Sequence, residues 1–140
     1  MGLKAHFLGD TSAVARVTKP AVAQRLIPLI EAGLVARCTI TDLEAGISAR
    51  NGRDWKRTRH ARSPWPRATI DQDVLDRALE VQGALAVAAL HRTVKLGDLL
   101  VAAAAERARL VVLHYDHDFD RIATITGQPT EWVAPPGAVD

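Results

Sequence analysis

A chain of 140 residues, 48% hydrophobic and 24% charged, is long enough to bury a core, which excludes a disordered or fibrous class. No apolar run approaches the roughly 20 residues that span a bilayer, and Met1-Gly2-Leu3-Lys4-Ala5-His6-Phe7 lacks the length and cleavage site of a secretory leader, so no membrane and a cytoplasmic location are expected. The single cysteine, Cys38, excludes an internal disulfide and a cysteine-based zinc cluster, and a net charge of +2 does not by itself demand a nucleic-acid partner.

Residues 5–8 read as a first strand within His6-Phe7-Leu8-Gly9-Asp10, and Asp10-Thr11-Ser12 then supplies helix-start chemistry. Residues 20–32 place Val22, Leu26, Leu29 and Ile30 on one side of a helix that Pro28 is expected to kink or split. Gly33 suits the position just past its end. Residues 34–40 read as a second strand, with Cys38 a small core residue. Thr41 is then a cap for a helix from Asp42 toward Arg50, which puts Glu44 in its first turn. The stretch 51–67 carries no clear period, and Ser63-Pro64-Trp65-Pro66 must turn.

Asp71 is an N-cap candidate for a long helix that Gly83 could interrupt. Val94-Lys95-Leu96 reads as short and extended. Gly97-Asp98 opens the run Leu99-Leu100-Val101-Ala102-Ala103-Ala104-Ala105, apolar nearly all round and so a buried helix. Residues 110–115 form the clearest strand, residues 118–126 a short helix stopped by Gly127, and Glu131-Trp132-Val133 a last edge strand before Pro135-Pro136-Gly137. Strands alternating with helices argue for one α/β domain over residues 1–140, with a central parallel sheet covered on both faces.

Acids recur at the ends of these apolar runs: Asp10, Glu44, Asp98, Asp116 and Asp118. Each has a structural explanation as a cap, a first-turn anion or a turn residue. Their joint occurrence at the carboxyl ends of a parallel sheet, where such folds bind ligands, is harder to explain that way. Carboxylates gathered there repel unless a cation neutralises them. A donor set without cysteine or a spaced histidine pair favours Mg²⁺ or Mn²⁺, ions suited to phosphoryl chemistry. His114, mid-strand, reads as a core histidine rather than a ligand.

A second concentration is basic. Arg50, Arg53, Lys56, Arg57, Arg59, Arg62 and Arg67 crowd one segment, with Trp55 and Trp65 among them. This reads equally as a footprint for a phosphate backbone, with Arg50, Arg53, Lys56 and Arg57 as its RNA-binding candidates, and as a solvated face. The two tryptophans could stack on bases, anchor a protein interface or pack on the core.

Phe7-Leu8-Gly9-Asp10-Thr11-Ser12-Ala13, Ile40-Thr41-Asp42-Leu43-Glu44, Asp98-Leu99-Leu100-Val101-Ala102-Ala103 and His114-Tyr115-Asp116-His117-Asp118-Phe119 resemble the motifs of PIN-domain proteins. More narrowly they resemble the VapC toxins of type II toxin–antitoxin modules, as does the closing Thr126-Gly127-Gln128-Pro129-Thr130-Glu131-Trp132-Val133. The resemblance implies a three-layer α/β/α sandwich and a Mg²⁺- or Mn²⁺-dependent endoribonuclease that blocks translation. It also implies a homodimer neutralised by a cognate VapB antitoxin; the resemblance says little about residues 50–67, but Trp55 and Trp65 make the helical region 41–67 the expected meeting surface. By the same resemblance Asp10, Glu44, Asp98 and Asp116 form the acidic quartet, and Asp10, Asp98 and Asp116 hold the metal. Glu44 ligates it or orients the attacking water, and Thr11 or Ser12 supplies a supporting hydroxyl. Asp118 is an additional acid, expected at the rim and less costly to lose than Asp116. Gly9 departs from the pattern, where an apolar residue is usual, and predicts a looser strand end.

Other acid-rich α/β classes fit less well. A signalling receiver domain needs an acid pair after the first strand and a lysine after the last, and a haloacid-dehalogenase-type phosphatase needs Asp-x-Asp after the first strand. Asp10 stands alone there, with Gly9 before it and Thr11-Ser12 after it. A catalytically inactive PIN-like module that only binds RNA or protein is the alternative, and retention of all four acids speaks against it.

Overall fold

The computed structural model describes residues 4–139, so Met1, Gly2 and Leu3 of the leader reading lie outside the described residues. Four parallel strands form the sheet: β1 (Phe7–Gly9), β2 (Val35–Ala36), β3 (Val111–His114) and β4 (Thr130–Trp132), in the order β2-β1-β3-β4. Around them run α1 (Thr11–Val14), α2 (Pro20–Glu31), α3 (Thr39–Ile47), α4 (Gly52–Arg62), α5 (Gln72–Val87), α6 (Leu96–Ala108) and α7 (His117–Thr126), with a single 3₁₀ turn at His91–Thr93.

The period-2 alternation of the strands builds the layers. Phe7, Val35 and Leu113 point to one side and pack with Ala13, Val22 and Leu26 from α1 and α2. Leu8, Ala36 and Val112 point to the other, into the larger core made with Val74, Leu85, Val101, Ala104, Phe119 and Ile122 from α5, α6 and α7. This is the three-layer α/β/α arrangement, and the sheet carries helices on both faces as expected.

Several local expectations are corrected. The second strand ends at Ala36, and α3 begins at Thr39, because Thr41 Oγ1 accepts the Cys38 N–H (3.0 Å) and donates to the Cys38 carbonyl (2.9 Å). Thr41 is therefore inside the first turn, and Glu44 moves to the second. Pro28 does not split α2. It lies on the exposed side, as does Gln24 four residues earlier, whose carbonyl loses a partner where water is at hand. Gly83 does not interrupt α5, and residues 52–62 are helical, started by Asn51 accepting the Asp54 N–H.

Gly9 is a matter of space rather than looseness. A Cβ there would sit 2.9 Å from Val35 Cγ1 and 3.4 Å from Val14 Cγ2, so only glycine lets β2 and α1 close on this strand. Among the described residues no helix is long and apolar enough to cross a membrane.

Candidate active site

The sheet order brings the carboxyl ends of β1 and β3 side by side, and the site grows from that adjacency. Asp10 follows β1, and its N–H donates to the Leu113 carbonyl (2.9 Å). Asp116 follows β3 and caps α7, accepting the Asp118 N–H (2.8 Å). Ser12 joins the two strand ends: its hydroxyl donates to Asp10 Oδ2 (2.5 Å) and accepts the Tyr115 N–H (2.8 Å). His114 is fully buried, and its Nδ1 accepts the Asp116 N–H (3.1 Å). Burial lowers its pKa to about 4, so it is a neutral strut for the Asp116 backbone, as the core-histidine reading held.

Asp98 enters from α6, at its third residue rather than as its cap. Ligand oxygens of Asp98, Asp116 and Asp118 lie within 4.8 Å of one another. Asp118 is not at the rim, as the sequence suggested: it is buried like Asp98, while Asp116 is the partly exposed member. Asp10 and Glu44 stand beside this tightest group. Glu44 is placed by the Thr11 hydroxyl, which donates to its Oε1 (2.7 Å), and by Gly97. A Cβ on Gly97 would come within 3.0 Å of Glu44 Oε2, so the missing side chain makes room for the carboxylate.

A lysine occupies the middle of the cluster. Lys95 Nζ donates to Asp116 Oδ2 (2.8 Å) and Asp118 Oδ2 (2.9 Å) and stands 3.4 Å from Asp98 Oδ2. Its backbone N–H also donates to Asp118 (2.9 Å), and Arg121 reaches Asp118 Oδ1 at 3.2 Å. Sequence reasoning missed Lys95, taking it for part of an extended connector. The available signal was its i,i+3 spacing from Asp98, which places the two side chains on one face once α6 starts.

The ionisation of the site follows its burial and crowding. Desolvation raises the pKa of Asp98, reinforced by a hydrogen bond to Asp118 and by the Asp10 charge. For Asp118 desolvation acts the same way but is outweighed by hydrogen bonds from Asp98 and Lys95, which lower its pKa. The pair thus shares a proton, held mainly on Asp98. Desolvation also raises Asp10, its bonds from Ser12 pulling the other way and the Glu44 and Asp116 charges adding to the rise. For Lys95 desolvation works against the charge, but the bonds to Asp116 and Asp118 prevail and keep it an ammonium.

Asp10 Oδ1 is buried with no hydrogen-bond partner, and Asp98 Oδ2, likewise without a hydrogen bond, has the Lys95 ammonium at 3.4 Å, an arrangement that favours a cation at these oxygens. The donors are all oxygens. Both facts fit a hard divalent ion, and the oxygens within 4.8 Å of one another that could hold it are those of Asp98, Asp116 and Asp118, with Asp10 beside them. The Lys95 ammonium stands where such an ion would place its charge.

The basic segment divides in two. Arg62 is buried and clamps Asp42 (2.9 Å) together with Arg37 (2.6 Å), while its guanidinium lies over Trp65 at 4.7 Å. Arg50, Arg53, Lys56 and Arg57 are exposed on and before α4. Arg57, with Val14 and Ala45, lines a groove that passes Arg62 toward Thr11. Trp65 joins the core beside β2. Trp55 is 48% exposed with its indole edge on Gly46.

The sequence profile of the PIN domain matches residues 8–125. Ribonuclease VapC51 of Mycobacterium tuberculosis is 49% identical over 140 residues, covering all of both chains. Ribonuclease VapC21 of the same species is 48% identical over 133 residues, 94% of this chain and 96% of its own. The DNA-bound VapBC structure from Salmonella typhimurium shares the fold with a TM-score of 0.73 over 93% of this chain and 99% of that one, at 18% identity. A toxin–antitoxin complex from Klebsiella pneumoniae does so at 0.69 and 22%, over 93% and 98%. The chain belongs to the PIN-domain family and, within it, to the VapC group.

Proposed function

We propose that the chain is a divalent-metal-dependent endoribonuclease, the toxin of a VapBC-type module. The observation that carries this reading is the acidic cluster at the β1 and β3 ends, with two buried carboxylate oxygens lacking a hydrogen bond, in a chain 49% identical to a ribonuclease. Mg²⁺ or Mn²⁺ held there would acidify a water and neutralise charge developing on the phosphate.

The chain's own residues do the rest. Asp10, Asp98 and Asp116 offer the ligand oxygens, and the Ser12 hydroxyl fixes the Asp10 carboxylate. Glu44, held by Thr11, is the group that ligates the ion or orients the attacking water. Asp118 anchors Lys95, whose ammonium, at the mouth of the cluster, would lie within reach of an RNA phosphate. Arg50, Arg53, Lys56 and Arg57 would track the RNA backbone from α4.

The partner reading rests on surface chemistry. Leu43, Ile47 and Trp55 are 61%, 83% and 48% exposed on α3 and α4. Apolar side chains gathered on one surface mark interfaces, and the fold's solved neighbours include a VapBC complex. A VapB antitoxin would cover this face, with two copies of the chain forming a homodimer in the cytoplasm.

The test is cleavage of labelled RNA by pure protein. Added Mg²⁺ or Mn²⁺ should support it, and excess EDTA or a cognate antitoxin should stop it. RNA left intact with either ion would reject the enzyme and leave the RNA- or protein-binding module.

A further inference from the structure

Beside the acids lies a cleft of about 290 Å³ walled by Tyr115, Asp116, His117, Trp132, Pro136 and Gly137. We propose that it is a subsite for one nucleobase of single-stranded RNA, next to the phosphate that is cut. The proposal rests on the ribonuclease reading for its substrate and goes beyond it in assigning where a base is held.

The walls are aromatic and fixed. Trp132 Nε1 donates to Asp120 Oδ1 (3.2 Å), which pins the indole at the sheet edge. Tyr115 and His117 meet Trp132 edge to face, with centroids 5.4 and 4.8 Å away and planes at 81° and 68°. These edge-to-face contacts hold the rings at steep angles to one another, with none of the three stacked parallel on another, which fixes the slot's aromatic walls. The opposite wall is the closing turn, tied back by the Val139 N–H donating to the Tyr115 hydroxyl (3.3 Å). The volume sits near the lower bound of small-molecule pockets, about 300 Å³.

Charge and position select the ligand. Asp116 belongs to both the cleft and the acidic cluster, so a group seated here lies one carboxylate from the reacting phosphate. The Arg16 guanidinium lies 4.6 Å from the Tyr115 ring centroid and donates to the Ser12 carbonyl, which puts positive charge between the Asp10 side and the cleft. An aromatic slot flanked by a guanidinium, opening beside a phosphate-handling cluster, matches an unstacked nucleotide: face on rings, phosphate on arginine. His117, the most exposed ring, is the natural lid on the base.

The chain has three tryptophans, so a ¹⁵N-labelled sample gives an indole signal for Trp132 with Trp55 and Trp65 as internal controls. Adenosine, guanosine, cytidine and uridine 5′-monophosphates should shift the Trp132 signal saturably and leave Trp55 still, while ribose 5-phosphate should not shift it. His117→Ala, at an exposed site where folding is not at risk, should weaken nucleotide binding about tenfold, the scale of one base stack. In cleavage of an oligoribonucleotide it should raise KM more than it lowers kcat.

An equal shift with ribose 5-phosphate would make this a phosphate site and overturn the proposal. So would silence of Trp132 toward all four nucleotides in a preparation that still cuts RNA, and the ribonuclease reading would then stand without the subsite. Nucleotide binding at Trp132 in a protein that leaves RNA intact would keep the base site and remove the reaction.

Discussion

With three carboxylates within reach of its ammonium, Lys95 neutralises the cluster from inside the chain, and a divalent ion bound to the same carboxylates would compete with it. Lys95→Met should therefore tighten Mn²⁺ binding and lower the melting temperature of the metal-free protein. The lysine side chain is 66% exposed, so each ion pair is screened, and the change expected is about five- to tenfold in affinity, worth about 1 kcal/mol. Isothermal titration with Mn²⁺ beside a metal-free melt reads both effects; unchanged or weaker Mn²⁺ binding would show that Lys95 does not compete.

Protons behave in a related way. Because the Asp98 pKa is raised by desolvation, the folded metal-free protein holds more protons than the unfolded chain above the ordinary Asp value of about 4. Stability then falls as pH rises toward the folded value. Buried His114, lowered by desolvation to about 4, has the opposite slope, but only up to its ordinary value of about 6.5. From about pH 7 to about pH 8, below the range where buried Cys38, also raised by desolvation, adds a fall of its own, the Asp98 effect stands clear of it: the metal-free melting temperature should drop, and saturating Mg²⁺ should remove the drop. A metal-free melt that rises over that span would contradict the assignment.

At this scale the acids were legible from the chain because Asp10, Glu44 and Asp116 follow apolar runs and Asp98 opens one. Lys95 was not, because a lysine ahead of a helix looks like any solvated charge until α6 is known to start at Leu96. The burial of Asp118 was equally hidden: the pattern Asp116-His117-Asp118 does not say which of its acids turns inward.

At the scale of elements, one largely buried carboxylate ties α3 and α4 to the end of β2. Asp42 takes Arg37 from beyond β2 on one oxygen and Arg62 from the end of α4 on the other. Arg62 also donates to Thr41 Oγ1 (3.1 Å), the hydroxyl that starts α3. Arg37 and Arg62 are 7% and 5% exposed. Removing their shared partner leaves two buried guanidinium groups uncompensated, an effect of about 3 kcal/mol or more. Asp42→Ala should therefore lower the unfolding free energy by about that amount in a urea titration, whereas Asp54→Ala, whose ion pairs are solvent-screened on exposed α4, should change it far less. Equal effects would show that the buried clamp contributes no more than a surface pair.

The early start of α3 escaped the sequence reading because an apolar run such as Val35-Ala36-Arg37-Cys38-Thr39-Ile40 suits a strand as well as a helix entry. The two bonds between Thr41 and Cys38 decide it. The helix at residues 52–62 was obscured for a different reason: its faces are charged nearly all round, and it is fixed by the clamp and an Asn51 cap rather than by an apolar stripe.

For the whole molecule, strand order is the fact that matters most. With β1 and β3 adjacent at the centre, the loops after them meet, and α6 delivers Asp98 to the same point. Alternating strands and helices predict the parallel sheet, but periodicity carries no information on which strands are neighbours, so the expectation that residues over a hundred positions apart converge rested on their placement at strand ends and on the family resemblance. The same layout leaves the apolar residues of α3 and α4 on the surface and the aromatic cleft beside Asp116, two faces available to different partners.

The central claim, that these carboxylates hold a divalent ion that cuts RNA, is tested most directly by pairing Mn²⁺ titration with RNA cleavage in the wild-type chain and in Asp98→Asn. The substitution keeps shape and replaces an ionisable carboxylate at a buried position with an amide that cannot become an anion. The account predicts a folded variant with Mn²⁺ binding weakened at least about tenfold and cleavage lost, while EDTA silences the wild type. A folded Asp98→Asn protein that binds Mn²⁺ normally and cuts RNA at the wild-type rate would contradict it.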